Sequence, residues 1–255
     1  MSGTSDGAII EVSHVDAGYP GAEPVLEDVT FTVRRGEVFA LLGGSGCGKS
    51  TMMKHMTGLN PVLAGTLKID GDEWTDKNRA ALCRKIGVMF QGGALFGSMT
   101  CLENVMLPME EFSRAGRGER FEKAMSLLRD VGLEDAADKL PGEISGGMKK
   151  RVAIARAMAL DPEIIFLDEP SAGLDPVTSD ALDTLILSLR EAKGATFVAV
   201  THELPSIFRI ADRCAMFDKA RRGMIALGAP RELAENSTDG FVRNFFTRGG
   251  HYGRR

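Results

Sequence analysis

Val38-Phe39-Ala40-Leu41-Leu42-Gly43-Gly44-Ser45-Gly46-Cys47-Gly48-Lys49-Ser50-Thr51 decides the fold. Its first five residues are apolar without interruption, the pattern of a parallel strand buried on both faces. The run leads straight into Gly43–Ser50, which fits the phosphate-loop pattern G-x-x-x-x-G-K-[ST] at every fixed position. Glycines at Gly43, Gly44, Gly46 and Gly48 let backbone N–H groups, with those of Ser45 and Cys47, turn inward around a phosphate. A helix expected over Ser50–Thr57, closed by Gly58, adds unpaired amides and its dipole. In such a loop Lys49 reaches the β- and γ-phosphates and Ser50, followed by Thr51, holds Mg²⁺. Because Cys47 lies inside the loop, a thiol reagent is expected to block nucleotide binding, and bound nucleotide to protect the thiol.

Composition sets the frame around this loop. The 255 residues suffice for one large or two small domains, and a hydrophobic content of 44% is ordinary for a globular chain. With 31 basic and 35 acidic residues the net charge is −4, so bulk electrostatics do not draw the chain to nucleic acid or an anionic membrane. No nucleic-acid partner is expected. Cys47, Cys83, Cys101 and Cys214 lack metal-ligand spacing and read as reduced thiols of a cytosolic protein. The first residues, MSGTSDGAIIEVSHV, carry no basic-then-apolar signal, and no apolar run approaches the about 18 residues of a membrane span. The chain is therefore expected neither to be exported nor to cross a membrane by itself.

Working outward, Ile9–Val15 and Val29–Val33 read as strands separated by the turn Gly18-Tyr19-Pro20-Gly21. Gly65–Gly71 is a short strand ending in a turn, and Ile86–Phe90 a strand ending at Gln91. From Thr100 to Ala159 the spacing turns helical, with Phe121, Ala124, Met125 and Leu128 on one face, which predicts a separate helical lobe at about 95–160. The strand–helix alternation then returns: strand Ile164–Leu167, helix Thr178–Lys193 capped by Gly194, and strand Thr196–Val200. That rhythm predicts a parallel α/β core within a single domain over 7–245. Cys214–Leu227 reads as a hairpin around Lys219–Gly223, and Ala229-Pro230 opens a terminal helical segment. Residues 246–255 form a basic tail; Arg243, Arg248, Arg254 and Arg255 near the end fit a solvated terminus as well as a partner site.

Three further stretches carry chemistry. Asp168-Glu169 closes the Ile164–Leu167 strand at its carboxyl end, where open parallel sheets bind ligands. One carboxylate can orient Mg²⁺ and the other can polarise a water; the residues alone leave the assignment open. His202 ends the next strand in the same manner; the residues alone leave open whether it contacts a γ-phosphate or is an ordinary polar side chain. Ser145-Gly146-Gly147 precedes a helix expected over Met148–Ala159, with Ser145 as its N-cap, so this is a second place where a helix start can hold an anion. Either the chain binds two phosphates, or the second site serves another subunit.

In order and spacing these motifs resemble the ATPase subunits of ABC transporters across nearly the whole chain. The matching parts are the phosphate loop Gly43–Ser50, Gln91 at a strand end, the SGG signature at Ser145–Gly147, Walker B at Ile164–Asp168 with Glu169, the D-loop Ser171–Asp175, and His202 as the switch histidine. Tyr19 stands where the family has an aromatic that stacks on adenine. The resemblance implies an α/β P-loop NTPase fold with a RecA-like parallel-sheet core, an N-terminal antiparallel β part and the inserted helical subdomain. It implies ATP and Mg²⁺ as ligands, with hydrolysis coupled to transport in a head-to-tail dimer. Each nucleotide then lies between Tyr19, the loop with Lys49, Ser50 and Thr51, Gln91, Asp168, Glu169 and His202 of one subunit and Ser145, Gly146 and Gly147 of the other. Glu169 is the general base or water-orienting group, Ser50, Gln91 and Asp168 attend Mg²⁺, and Asp175 bridges the subunits. Gln91 links Mg²⁺ to an integral-membrane permease through the helical lobe.

The signature reads ISGGM where the common form is LSGGQ. SGGM followed by KKRVAIARAMALDPEIIFLDEPSAGLDPVTS, together with FQGGALFGSMTCLENV after the Gln91 strand, is similar to the Mla/Mce-type ATPases that drive lipid transport between bacterial membranes. That likeness implies a peripheral position on the cytoplasmic side of the bacterial inner membrane, with a Mce-domain lipid-binding subunit and small accessory subunits as further partners. The alternative within the family is an amino-acid or metal importer.

Overall fold

In a computed structural model that describes residues 7–247, the strands sort into two sheets. The first sheet is antiparallel, in the order β2 (Leu26–Arg34), β1 (Ala8–Ala17), β4 (Ala64–Ile69), β5 (Asp72–Glu73). The second runs β10 (Gly223–Gly228), β9 (Arg213–Asp218), β3 (Val38–Gly43), β8 (Thr196–Val200), β7 (Ile164–Asp168), β6 (Ile86–Met89). In it β9, β3, β8, β7 and β6 are mutually parallel and β10 returns antiparallel. The antiparallel front, parallel core and closing hairpin expected from the sequence are all present. Every residue of β3 and β8 is buried, which is why both read as unbroken apolar runs rather than alternating ones. β1 and β2 alternate instead, and their register slips where His14 and Asp28 take φ near +50°, the mark of a bulge.

Helices α1 (Lys49–Met56), α2 (Arg79–Lys85), α3 (Cys101–Phe112), α4 (Arg117–Asp130), α5 (Gly146–Ala157), α6 (Pro176–Lys193), α7 (Leu204–Ile210), α8 (Pro230–Asn236) and α9 (Gly240–Thr247) complete the order. The helical lobe is α3 to α5. Thr100 opens α3 with a capping box: its Oγ1 accepts from the Glu103 N–H and the Glu103 carboxylate accepts from the Thr100 N–H. Buried Asn104 then accepts from the Phe96 N–H and donates to the carbonyls of Phe96, Met99 and Thr100, closing the segment after Gln91 onto this helix. Two short 3₁₀ turns, at Glu134–Ala136 and Pro141–Glu143, join α4 to α5.

The structure adjusts three sequence expectations. On α4 the buried side chains are Ala124, Leu127 and Leu128, while Phe121 is exposed; the apolar stripe begins one turn later than the spacing suggested. α5 starts at Gly146 rather than Met148, and α6 at Pro176 rather than Thr178, because Ser145 and Asp175 supply the caps. Phe246 is buried within α9, tilted against Phe208 and edge-on to Phe245, so 246 and 247 belong to the folded domain rather than a tail. Arg248, Arg254 and Arg255 lie outside the described residues.

Candidate functional site

The carboxyl ends of β3, β7 and β8 gather the site. After β3 the chain turns through Gly43, whose φ of 140° and packing admit no side chain: a Cβ there would sit 2.4 Å from the Phe217 carbonyl oxygen and 2.6 Å from Cys47 Sγ. Gly48, at φ 105°, lies against Leu26 of β2 and caps α1 with no side-chain acceptor. The first turn of α1 holds no acidic residue. Its N–H groups therefore face the loop as a cradle for an anion, reinforced by the helix dipole. Lys49 Nζ donates to the carbonyls of Gly43 at 2.9 Å and Gly44 at 3.0 Å, folded along the same loop. Ser45 and Gly46 are exposed at its tip, Ser50 is exposed at the helix start, and Thr51 is buried beneath.

Cys47 is 1% exposed, and burial pushes its thiol above the ordinary range against the opposing pull of Lys49. The expectation of ready modification in the loop is thereby corrected: a buried, protonated thiol is a poor nucleophile. Cys83 on α2 is the exposed cysteine. Maleimide is expected to label Cys83 in the native protein, leaving Cys47, Cys101 and Cys214 for reaction only after denaturation, as read by peptide mass. Labelling of Cys47 at the rate of Cys83 would show that the loop opens spontaneously.

Asp168 and Glu169 follow β7. Burial, with the neighbouring Glu169 charge, holds the Asp168 carboxyl above its usual range, while Lys54, Lys150 and Lys49 oppose that shift. A carboxylate with its solvation stripped away gains most from a cation. Glu169 has φ 49°, in the left-handed region, which costs a non-glycine residue roughly 1–2 kcal/mol. The turn aims its side chain at His202, whose Nδ1 lies 2.9 Å from Oε1, although the histidine side chain is 58% exposed. The same nitrogen lies 2.9 Å from Glu169 Oε2, which is buried and meets no other hydrogen-bond donor among the described residues. A buried carboxylate that meets a single histidine nitrogen keeps acceptor capacity for a further donor.

The other expected residues lie on separate elements. Tyr19 is 45% exposed on the β1–β2 turn, with Lys54 of α1 stacked 5.8 Å from its ring centroid. His55, also on α1, fixes that turn: its Nε2 accepts from the Gly18 N–H at 3.0 Å, and burial keeps the imidazole neutral by lowering its pKa. Gln91 is exposed just beyond β6. Ser145 Oγ accepts from the Met148 N–H at 3.2 Å, and Gly146 begins α5 exposed. Gly147 is buried against Thr178, where a Cβ would come within 2.6 Å of Thr178 Cγ2. This signature turn therefore belongs to the lobe, on a different element from the phosphate loop. Asp175 caps α6, its Oδ1 accepting from the N–H groups of Val177 and Thr178 and its Oδ2 from Thr178 Oγ1. These bonds hold its carboxyl below the usual range.

Sequence reading missed Lys150. It is 7% exposed and its Nζ donates to the Glu169 carbonyl at 3.1 Å. In the run Lys149-Lys150-Arg151 it looks solvated, yet it shares the spacing of buried Gly147 and Ile154, a signal of the inward face.

Mg²⁺ fits the chemistry of the expected donors: the Ser50 hydroxyl, the Gln91 amide oxygen and the partly desolvated Asp168 carboxylate are hard oxygen ligands. Among the described residues no cluster of three His, Cys, Asp or Glu side chains could hold a metal ion.

Residues 26–172 match the family model described as ABC transporter. The chain is 40% identical over 242 residues to the probable ribonucleotide transport ATP-binding protein mkl of Mycobacterium tuberculosis, covering 94% of this chain and 66% of that protein. It thus spans just under two thirds of the length of that relative. To the methionine import ATP-binding protein MetN of Caulobacter vibrioides it is 37% identical over 230 residues, covering 88% of this chain and 68% of MetN. Among solved structures it is similar to cbiO1 from Clostridium perfringens, part of the ABC transporter complex cbiONQ, with TM-score 0.83, 27% identity and coverage of 90% and 92% of the two chains. The dimeric cassette MJ0796, solved bound to ADP and Pi, gives TM-score 0.77 at 31% identity, covering 86% of this chain and 98% of that one.

Proposed function

From the premise that this chain belongs to the ABC transporter family, as an ATP-binding cassette that hydrolyses ATP with Mg²⁺, we propose that it energises Mla/Mce-type lipid transport between bacterial membranes, the work of ATPases such as MlaF. The observation that carries the catalytic part is the Glu169–His202 pair, 2.9 Å apart at the ends of adjacent strands β7 and β8. Bound ATP supplies the phosphoryl group, and the chain supplies position and charge. The α1 amides and Lys49 hold the phosphates, Asp168 with Ser50 and Gln91 holds the cation, Glu169 takes or orients the proton of the attacking water, and His202 keeps that carboxylate turned. In this reading Tyr19 supports adenine, and Ser145, Gly146 and Gly147 of a second copy close over the nucleotide, with Asp175 near the subunit boundary.

The permease is assigned to an apolar groove of about 680 Å³ between β6 and the lobe, lined by Ile86, Val88, Phe90, Phe96 and Phe112. Gln91 directly follows the lining residue Phe90, so in this reading a body seated in the groove is coupled to the cation site through the chain at Gln91. No helix among the described residues is long and apolar enough to cross a membrane, which fits an ATPase seated peripherally on the cytoplasmic side of the inner membrane. The lipid assignment rests on the SGGM signature and the FQGGALFGSMTCLENV wording; the relatives named for ribonucleotide and methionine transport define the competing small-solute reading. Solubilised membranes, purified through this chain, decide between them. A permease with a Mce-domain subunit and bound phospholipid is the expected set, together with ATPase activity that rises in phospholipid vesicles. A permease without lipid, with turnover raised by methionine instead, overturns the lipid reading and leaves the cassette intact.

A further inference from the structure

We infer that Lys150 is a positioning residue for hydrolysis, holding the main chain of Glu169 in the turn that aims its carboxylate. The inference rests on the reading of Glu169 as the water-directing group. Three observations support it. The Lys150 side chain is buried, and its Nζ donates to the Glu169 carbonyl at 3.1 Å. That carbonyl also accepts from the Ala172 N–H at 3.3 Å, and the Glu169 N–H donates to the Val200 carbonyl at 2.9 Å, so both sides of a strained residue are tied. A left-handed non-glycine backbone persists only where its surroundings over-determine it, and Lys150 supplies one of the few ties that come from outside the strand pair. Burial lowers the Lys150 pKa, with the Asp168 and Glu169 charges opposing that shift.

Position on α5 gives the tie a second meaning. Lys150 sits one turn after Ser145–Gly147 on the same rigid helix. In the dimer, the turn that closes over one nucleotide is thus attached, through Lys150, to the Glu169 that acts on the other. A shift of α5 on closure at the first site moves the anchor of the second, which is a physical route for the two sites to fire in a related way.

The test is a double-mutant cycle on the full chain, with ATP affinity measured separately from turnover. Lys150→Met is expected to lower kcat about tenfold while KM for ATP stays within about twofold, the pattern of an interaction that matters in the transition state only. Lys150→Arg keeps a cationic donor and is expected to recover most of the loss. In the Glu169→Gln background Lys150→Met is expected to add almost nothing, because a residue that acts through Glu169 has nothing left to act on. Should Lys150→Met not fold, Lys150→Gln takes its place in the same cycle. Wild-type kcat in Lys150→Met, or an equal tenfold loss in both backgrounds, overturns the inference. Wild-type turnover in Glu169→Gln alone overturns the underlying reading instead, so the two failures are distinct.

Discussion

Glu169→Gln is expected to slow ATP hydrolysis by roughly 10²–10⁴-fold, the range of general acid–base groups, with nucleotide affinity nearly unchanged. Glutamine matches the size of glutamate and keeps a hydrogen-bonding oxygen for His202. It cannot take a proton, and it removes the negative charge that faces the attacking water. Since hydrolysis is the step that releases the closed state, the variant should accumulate as an ATP-held dimer, visible as doubled mass in Mg-ATP. Asp168→Asn should differ. Its carboxylate is the one that burial and Glu169 make costly to leave unpaired, so its loss weakens Mg-ATP binding as well as turnover. Wild-type turnover in Glu169→Gln would remove that residue from the mechanism and make His202 the next to test.

Ser145→Arg should abolish hydrolysis while each monomer still binds ATP. Binding uses the loop and Lys49 of the same chain, whereas closure puts the signature turn of the partner over the nucleotide. Ser145 also caps α5, so the variant loses about 1 kcal/mol of helix stability, too little to unfold the lobe. The decisive experiment mixes the two dead proteins before ATP is added. In a dimer of Ser145→Arg with Glu169→Gln, one composite site has an intact Glu169 from the first chain and an intact Ser145 from the second. Random pairing then returns about a quarter of the wild-type sites. Activity recovered on mixing shows that Ser145 works in trans; a mixture as dead as its parts shows that it works in cis.

The residues that dictate backbone geometry were the ones readable in advance. Gly43 and Gly48 occupy positions where a Cβ would strike Phe217 or Leu26, so only glycine serves and the loop announces itself in the letters. β3, β7 and β8 are buried on both faces and could only be written as apolar runs. The lobe was less legible. Its α3 carries Pro108 inside the helix and a fully buried Asn104 whose bonds all go to backbone, and its α4 leaves Phe121 outside. Those placements follow from tertiary contacts that no periodicity records. The same holds in the site: Lys150 looks like surface charge and is interior, while Cys47 sits in a loop and is interior too, because each is covered by an element distant in sequence.

Where α5 crosses β6, the contact is backbone on backbone. A Cβ on Gly87 would lie 2.0 Å from the Ala157 carbonyl oxygen, and Arg156 on the same helix donates to the carbonyls of Gly93 and Ala94, both at 2.8 Å. A joint of this kind has no backlash. Soft side chains between helix and strand would absorb the first fraction of an ångström of any displacement, as a loose gear absorbs the first degrees of a turn. Here the Gly87 contact seats β6 directly on α5, and the Arg156 side chain ties the segment after Gln91 to the same helix. The joint is therefore built as a stiff seat rather than a cushion, and a side chain at Gly87 would have to push α5 off β6.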